Sequence, residues 1–456
     1  MMSLALLADA LKAPLIGADA RLNGVSTDTR TIAPGDLFVA LVGPNFDGHN
    51  FLPQAIAKGA TGGLLSHKIE TALPHVRVVD TRLALGQFAA FWRRQFKIPV
   101  VAVTGSNGKT TVKEMIGSIL AQTGPVCVTR GNLNNDIGLP LTLLRLRKQD
   151  RSAVIEMGMN HRGEIDYLSK LTEPTVAVIT NAAEAHLAGL GSLEQVARAK
   201  GEIFSGLAPD GLAVLNADDP YCPLWRKLAA PRRCVTFGLD NPADYSARYR
   251  LEPNGSRIQL RTPKGEVDMR LALIGKHNVL NALASAAASL GADATAADVI
   301  KGLEQLKAIS GRLELKPGIN GARVIDDTYN ANPGSVTAGL QVLQEAKGER
   351  VLVLGDMAEL GDAAPDIHRR IGELARSLGI NRLFGLGEMS AIAVQSFGDG
   401  AKHFPSHEAL IDSLIDCMHG DMTLLVKGSR VMQMENVVAG IIRRPGEADN
   451  NNGGAR

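Results

Sequence analysis

One short segment in the first third of this 456-residue chain constrains its fold more than any other. Residues 98–104 (IPVVAVT) form an apolar run typical of a buried strand, and residues 104–111 (TGSNGKTT) form a glycine-rich turn. A helical pattern follows over about Thr110 to Ala121. Glycines let the backbone direct its N–H groups at phosphate oxygens, and the helix N-terminus adds a favourable dipole. The segment predicts a phosphate site; a glycine turn that merely caps a helix is the alternative.

The side chains of this loop also fit a nucleotide. Lys109 can neutralise the β- and γ-phosphates, and the Thr110 hydroxyl can bind Mg²⁺. A strict Walker pattern would place a glycine at Val103, so the segment is a shorter GxxGKTT variant. The predicted ATP-binding loop consists of Gly105, Ser106, Asn107, Gly108, Lys109, Thr110 and Thr111.

Further apolar runs alternate with helical patterns and predict a doubly wound parallel α/β sheet around the loop. Residues 245–273 alternate instead like antiparallel strands. An alanine-rich helix over about 277–290 either packs closely or exposes an alanine face. The runs assigned to parallel strands are 153–157, 176–180 and 212–215, followed by 322–325, 351–354, 383–386 and 423–426.

The length fits about three domains at roughly 150 residues each. We expect a mixed α/β domain over 1–95, with a helix from Thr81 to Phe96 leading into the next domain. The central P-loop domain would span 96–311 and a Rossmann-like α/β domain 312–443. The polar segment 444–456 is expected to be disordered.

Composition excludes several classes of protein. The net charge of +2 and the 11 Phe, 5 Tyr and 2 Trp give no reason to expect a nucleic-acid partner. The four cysteines form no Cys-x-x-Cys pair, which argues against a zinc ribbon or a disulfide scaffold and favours a reduced cytosol. The chain lacks a basic signal-peptide start and has no apolar run of 18 residues, so we expect a cytoplasmic protein without a membrane span.

Two polar residues follow predicted strands, where parallel sheets bind ligands. Glu156 ends the run 153–157, and its carboxylate suits Mg²⁺. His186 follows the next run, although a loop histidine by itself is more often structural or solvated. Nearby amides at Asn132, Asn134 and Asn135 either form plain turns or hold polar substrate groups, and spacing does not decide between these.

Several motifs, taken together, resemble the Mur ligases. In chain order they are TGSNGKTT (104–111), EMGMNHRGEI (156–165), TNAAEAH (180–186), AKGEIF (199–204), GKHNVLNALA (275–284), GRLE (311–314) and DDTYNANP (326–333). Four further segments are most similar to the members that add D-alanyl-D-alanine: NFDGHNF (45–51), GNLNNDIGLP (131–140), GDMAELG (355–361) and VKGSR (426–430). The DNPR motif of the diaminopimelate-adding members is absent.

The resemblance implies a role for each matching position. The first domain would bind the UDP part of the substrate through Ser26, Thr27, Asp28, Arg30, Gly48 and His49, and Asn132, Asn134 and Asn135 would also contact substrate. Glu156 and His186 would hold Mg²⁺ with Thr110, and Lys200 would be carbamylated to support a second Mg²⁺. Asn278 and Asn281 would pair with the adenine edge of ATP in a motif that also holds His277, Arg312 would lie near the ATP phosphates, and Asp327 would bind the ribose. Tyr329, Asn330 and Asn332 would contact nucleotide and the incoming amine.

Each of these positions also has a purely structural interpretation. The Ser26–Arg30 segment and the Gly48–His49 loop can be a capped turn and an exposed strand end, and Lys200 alone would be a solvated helix lysine. Asn278 can cap a helix, Arg312 can be an exposed hinge charge, and Asn332 can begin a turn and helix.

The resemblance implies an ATP-dependent ligase that adds D-alanyl-D-alanine to a UDP-N-acetylmuramoyl tripeptide through an acyl phosphate. ATP, two Mg²⁺ ions and a monomeric chain are expected. Another Mur-type ligase or a folylpolyglutamate synthase-like enzyme is the alternative among enzymes, although the first domain is hard to place in the latter. A P-loop protein without ligase chemistry is the alternative outside enzymes.

Overall fold

The computed structural model describes residues 2–184 and 190–443. The prediction for the tail 444–456 and that for His186 lie outside the described residues. No helix in those ranges combines the length and apolar character that a membrane crossing needs. The chain forms three α/β units in sequence order, which confirms the predicted fold class.

The N-terminal unit is a small mixed sheet with strand order β1-β7-β6-β3-β2, in which β1 runs antiparallel to β7 and the other pairs are parallel. Its strands are β1 (Leu15–Ile16), β2 (Val25–Ser26), β3 (Leu37–Val39), β4 (Val42–Gly43), β5 (Phe46–Asp47), β6 (Gly62–Leu65) and β7 (His75–Arg77), and its helices are α1 (Leu4–Leu11), α2 (Leu52–Ala57) and α3 (Thr81–Arg93).

Helix α3 leads into the central unit, as its apolar spacing predicts. Phe88 and Trp92 are buried in a core that is continuous with the central sheet. Leu83, in the first turn of the helix, is 54% exposed and borders a cavity.

The central sheet is parallel throughout and has the order β13-β12-β11-β8-β10-β9. Its strands are β8 (Val100–Thr104), β9 (Val126–Val128), β10 (Ser152–Glu156), β11 (Val176–Ile179), β12 (Leu212–Asn216) and β13 (Arg233–Phe237). The first strand, β8, lies between β10 and β11, so the strand order reverses there. Its carboxyl end is therefore the switch point at which such sheets bind ligands.

Helices cover both faces of this sheet. They are α4 (Lys109–Leu120), α5 (Gly138–Leu143), α6 (Glu164–Thr172), α7 (Leu193–Gly201), α8 (Cys222–Ala229), α9 (Lys276–Gly291) and α10 (Ala296–Glu304). Every residue of β8 is buried, which explains why it appears in the sequence as a continuous apolar run without alternation.

The predicted antiparallel strands are present as β14 (Ser246–Glu252), β15 (Gly255–Thr262) and β16 (Gly265–Leu271). Beside them lies the alanine-rich helix α9, whose residues Ala282, Ala286 and Ala287 are fully buried. Small side chains let α9 pack closely on α4 and the sheet, so the close-packing interpretation of its sequence holds.

The C-terminal sheet has the order β17-β18-β22-β19-β20-β21, with β17 antiparallel to β18 and all other pairs parallel. Its strands are β17 (Glu314–Pro317), β18 (Arg323–Asp327), β19 (Glu349–Gly355), β20 (Arg382–Leu386), β21 (Ala401–Phe404) and β22 (Met422–Lys427), and its helices are α11 (Pro333–Gln344), α12 (Ala364–Ser377), α13 (Ser390–Phe397), α14 (His407–Cys417) and α15 (Glu435–Ile441).

Candidate functional site

The predicted phosphate loop joins β8 to α4 at the switch point. Gly105 and Gly108 have φ angles of +151° and +81°, which side chains rarely adopt. A Cβ at Gly105 would lie 1.8 Å from Thr180 Oγ1, and a Cβ at Gly108 would lie 2.6 Å from Asn281 Oδ1. Both glycines are therefore required by backbone conformation and by close packing.

The segment that follows β11 holds this loop in place. Asn181 accepts the backbone N–H of Asn107 through Oδ1 at 2.9 Å and donates through Nδ2 to the Asn107 carbonyl at 3.2 Å. The Thr180 hydroxyl donates to the same carbonyl at 2.5 Å. Ser106 Oγ donates to the Ala183 carbonyl and accepts the Ala183 N–H. Sequence reasoning missed Asn181, although its place directly after a predicted strand is a signal that could have found it.

The Lys109 ammonium lies inside the loop, where it donates to the Gly105 carbonyl at 2.7 Å and to the Ser106 carbonyl at 3.4 Å. Burial lowers the pKa of Lys109, and the nearby Glu156 carboxylate opposes that shift. These two carbonyl oxygens accept the hydrogen bonds that the Lys109 ammonium could otherwise donate to an anion. A phosphate group brought to the loop would offer the ammonium a stronger charge-assisted bond.

Glu156 lies at the carboxyl end of β10 and is 2% exposed. Its Oε1 accepts Asn134 Nδ2 at 2.8 Å, so Asn134 orients this carboxylate. Its Oε2 has no hydrogen-bond partner among the described residues, and Lys113 Nζ lies 3.7 Å away. Lys113 lies one helical turn after Lys109 and is fully buried. No sequence signal distinguishes it from a solvated helix lysine.

Lys200 is buried rather than solvated, at 2% exposure. Burial lowers the pKa of its amine well below the ordinary value, and the charge of Lys109 lowers it further, whereas Asp219 opposes the shift. Asp219 is itself held by the backbone N–H groups of Ala182 and Tyr221. The structural interpretation of Lys200 as an exposed helix lysine is therefore wrong.

The hinge and the C-terminal unit both reach the phosphate loop. Arg312 Nη2 donates to Thr110 Oγ1 at 3.3 Å, and its guanidinium lies 4.0 Å from the centre of the Tyr329 ring. Asn332 Nδ2 donates to Asn107 Oδ1 at 2.8 Å. Asn332 also caps α11, so its structural interpretation and its contact with the loop hold together.

The predicted adenine contacts lie at the start of α9. Gly275 occupies the N-cap position there, so Asn278 is not the N-cap residue. Asn278 instead donates to the Ile274 carbonyl and accepts from Asn281 Nδ2. His277 is partly buried, and burial together with the charge of Lys427 lowers its pKa to about 4. The imidazole of His277 is therefore neutral at physiological pH.

The predicted ribose contact, Asp327, ends β18 and is 7% exposed. Its Oδ2 accepts from Lys427 Nζ at 2.5 Å across the neighbouring strand. Burial raises the pKa of Asp327, and the charge of Lys427 opposes this shift.

The N-terminal candidates lie apart from these residues. Asp28 holds Arg30 through both carboxylate oxygens, and the Arg30 side chain is 88% exposed. The Asp28 N–H donates to Ser26 Oγ and thereby closes the predicted turn. None of the six described candidates of this unit lines the cavity beside the phosphate loop. They are Ser26, Thr27, Asp28, Arg30, Gly48 and His49.

The loop around Gly48 is fixed by a buried histidine. His49 Nε2 accepts the Ser66 N–H at 2.9 Å, so its Nδ1 carries the proton that faces Asp47 Oδ1 at 2.6 Å. Asp47, His49 and His67 are close enough to hold a metal ion. Because His49 Nε2 already accepts the Ser66 N–H, its Nδ1 is protonated and has no lone pair for a metal ion. The three side chains therefore form a hydrogen-bonded cluster.

A cavity of about 1160 Å³ opens in front of the phosphate loop. Residues from all three units line it, including predicted Asn132, Asn134, Asn135, Glu156, Arg312, Tyr329, Asn330 and Asn332. Arg82, Arg162 and Arg430 also line it. Sequence reasoning assigned no role to them, although Arg162 and Arg430 lie inside motifs that carry the resemblance. Asn135 Oδ1 also accepts the N–H groups of Ile137 and Gly138, just where α5 starts.

The donor set fits Mg²⁺ on physical grounds. Glu156 presents a buried carboxylate oxygen without a hydrogen-bond partner among the described residues. The Lys113 ammonium at 3.7 Å balances its charge but leaves this oxygen able to bind a cation. Thr110, which lines the same cavity, supplies a neutral hydroxyl, and hard oxygen ligands are those that Mg²⁺ prefers.

Comparisons with known proteins point to one family. The patterns described as "Mur ligase family, catalytic domain", "Mur ligase middle domain" and "Mur ligase, glutamate ligase domain" match residues 21–93, 103–289 and 311–430. The UDP-N-acetylmuramoyl-tripeptide–D-alanyl-D-alanine ligase of Escherichia coli is 47% identical over 440 residues, which cover 96% of this chain and 97% of that protein. The chain belongs to the Mur ligase family.

Solved Mur ligases share the whole fold. A crystal structure of MurF from Acinetobacter baumannii matches with a TM-score of 0.90 at 38% identity, over 96% of this chain and 97% of that one. MurF from Thermotoga maritima, solved in complex with ADP, matches with a TM-score of 0.83 at 27% identity, over 95% and 97%. A folylpolyglutamate synthase of Mycobacterium tuberculosis matches at 18% identity, which shows likeness of fold alone.

Proposed function

We propose that this Mur ligase joins D-alanyl-D-alanine to the terminal carboxylate of a UDP-N-acetylmuramoyl tripeptide and converts ATP to ADP and phosphate. The observation that carries the proposal is the cavity in which the phosphate loop, the amide cluster 132–135 and the nucleotide loop (residues 327–332) meet. Activating a carboxylate and presenting an amine to it requires three substrates in one enclosed space. The E. coli ligase, at 47% identity, is named for the same reaction.

The chemistry follows from the groups around the phosphate loop. The tripeptide carboxylate attacks the γ-phosphorus of ATP, so a P–O bond forms, the bond to ADP breaks, and an acyl phosphate results. The dipeptide amine then attacks the acyl carbon, loses a proton, and expels inorganic phosphate. Lys109 would exchange its carbonyl partners for phosphate oxygens, and the loop N–H groups would stabilise the charge that develops.

Arg312 is proposed to act on the same charge from the hinge. It already touches Thr110 and stacks on Tyr329, so a small rotation of the C-terminal domain would move it relative to the phosphates. Closure of that domain also excludes water, which would otherwise hydrolyse the acyl phosphate.

We propose that Thr110, Glu156, His186 and carbamylated Lys200 hold two Mg²⁺ ions. When bound, the ions would neutralise phosphate oxygens and thereby favour phosphoryl transfer. Lys200 suits this role because burial lowers the pKa of its amine and so favours the neutral form, and a neutral amine can add CO₂ and release a proton to give a carbamate. An ammonium at this position would repel a metal ion, whereas a carbamate would bind it.

The remaining assignments belong to the same proposal. Domains over 1–95, 96–311 and 312–443 would bind UDP, bind ATP and close the site. Ser26, Thr27, Asp28, Arg30, Gly48 and His49 would contact the UDP part, and Asn278, Asn281 and Asp327 would contact the nucleoside of ATP. The protein would act as a monomer in the cytoplasm.

The deciding experiment measures phosphate release with a panel of UDP-muramoyl peptides. We expect release that requires a tripeptide substrate, D-alanyl-D-alanine, ATP and Mg²⁺ together, with one phosphate per peptide bond. Release that needs a folate and glutamate instead would favour the synthase-like alternative. Release with ATP alone would indicate a P-loop protein without ligase chemistry.

A further inference from the structure

A buried lysine lies beneath the nucleotide loop. Lys427, the last residue of β22, is 1% exposed. Its ammonium donates to Asp327 Oδ2 at 2.5 Å, to the Asn330 carbonyl at 2.9 Å and to the Asp327 carbonyl at 3.4 Å. A lysine ammonium has three donors, and all three of these acceptors belong to the loop. Lys427 therefore links the two sides of one turn.

The strand that carries this ammonium is firmly placed. β22 lies inside the C-terminal sheet, where Lys427 pairs in register with Asp327 of β18 and with Leu354 of β19. A strand bonded on both sides moves little relative to its neighbours. The loop is consequently anchored to an interior strand of the sheet.

The other side of the same loop faces the phosphate loop. Tyr329 donates its N–H to the Gly311 carbonyl in the hinge and stacks under Arg312. Three residues on, Asn332 donates a hydrogen bond to Asn107 of the phosphate loop. A shift of the turn at Asn330 would displace both contacts, because the residues that make them flank it.

Stability alone does not account for this buried pair. Burial lowers the pKa of Lys427, and the charge of Asp327 opposes that shift. Removing two charges from water costs about as much free energy as their attraction returns, and well-packed apolar residues in their place often give equal stability. The three bonds to one turn instead give the loop a single defined shape.

We propose that Lys427 is a positioning residue that sets the affinity for ATP by fixing the nucleotide loop, without touching the nucleotide. All three donors of its ammonium are used by the loop, so it acts through Asp327 and Asn330. The inference rests on the proposed ATP site and adds a residue to it that lies outside the predicted contacts.

The test compares Lys427→Met with Lys316→Met. Lys316 is the matched control, since it forms an ion pair of 2.6 Å with Asp326 in the same sheet but has no bond to residues 329–332. In Lys427→Met we expect the KM for ATP to rise about tenfold or more, as for loss of a charged hydrogen bond, with the KM for the UDP substrate within about twofold of wild type. Calorimetric titration with ADP should show the same weakening, and Lys316→Met should leave both KM values near wild type.

A fall in Tm without a change in KM for ATP would overturn the proposal, as would equal changes in both variants. If Lys427→Met does not fold, Asp327→Asn/Lys427→Met is compared with Asp327→Asn, because the double variant leaves no unpaired buried charge. A further rise of about fivefold or more in the KM for ATP supports positioning through Asn330, and an equal KM overturns it. Failure of the ATP site itself would appear separately, as activity retained by Lys109→Ala.

Discussion

Replacing Gly105 by alanine tests whether the phosphate loop depends on one close backbone approach. The added Cβ would lie 1.8 Å from Thr180 Oγ1, and real Cβ contacts essentially never fall below 3.0 Å. It would also occupy a backbone with a φ of +151°. The loop or Thr180 must therefore move, and the bond from Thr180 to the Asn107 carbonyl would be lost or lengthened.

The expected magnitude combines two effects. A left-handed backbone costs a residue with a Cβ about 1–2 kcal/mol, and overpacking costs about 1–3 kcal/mol more. We expect Gly105→Ala to lower the free energy of unfolding by about 2–5 kcal/mol. Because a displacement of about 1 Å at a catalytic group can cost about 100-fold in rate, kcat/KM should fall by about that factor.

The assay pairs urea unfolding with steady-state phosphate release. Gly265→Ala is the matched control, since Gly265 has a φ of +130° and a Cβ there would meet nothing within 4 Å. That variant should lose only about 1–2 kcal/mol and keep full activity. Thr180→Ala removes the clashing oxygen, so the double variant Gly105→Ala/Thr180→Ala should be less destabilised than the two single changes added together.

Two results would refute this reasoning. If Gly105→Ala were no more damaging than Gly265→Ala, the contact with Thr180 would be irrelevant. If the double variant lost as much stability as the sum of the single variants, the two positions would not be coupled. Either result would remove the steric argument for this glycine.

The remaining predictions concern the reacting groups. Lys109→Ala should abolish nearly all turnover with an unchanged circular dichroism spectrum, and an active variant would contradict the phosphate-loop assignment. Lys200→Ala should be inactive, and wild-type activity depleted of CO₂ should recover with bicarbonate; insensitivity to bicarbonate would argue against a carbamate. Arg30→Ala should raise the KM for the UDP substrate far more than that for ATP, whereas equal changes would indicate misfolding. Tripeptide labelled with ¹⁸O in its terminal carboxylate should deliver one label to phosphate per peptide bond, and labelled AMP would rule out an acyl phosphate.

Much of the candidate site could be predicted from local sequence patterns. The run 98–104, the glycines and the GKTT sequence are contiguous, so strand, turn and helix could be predicted together, and the helix begins at Lys109, within one residue of the expected start. Glu156 was also predictable, because the carboxyl end of a parallel strand is defined by the apolar run that precedes it.

Other features depend on contacts between distant segments. Lys113 and Lys200 resemble ordinary helix lysines in sequence, yet both are buried, because the sheet and neighbouring helices enclose them. Asn107 and Asn332 are hydrogen-bonded although 225 residues separate them. Spacing along the chain has no bearing on such pairs, since domain packing alone brings them together.

The sequence by itself determined the order of the α/β units, the position of the phosphate loop and the membership in a ligase family. The tertiary structure decided which charges are buried, how Lys427 fastens the nucleotide loop, and which side chains of three units face one cavity. The division has a physical cause. Backbone conformation and apolar periodicity are set by neighbouring residues, whereas burial and electrostatic partners are set by segments that meet only after folding.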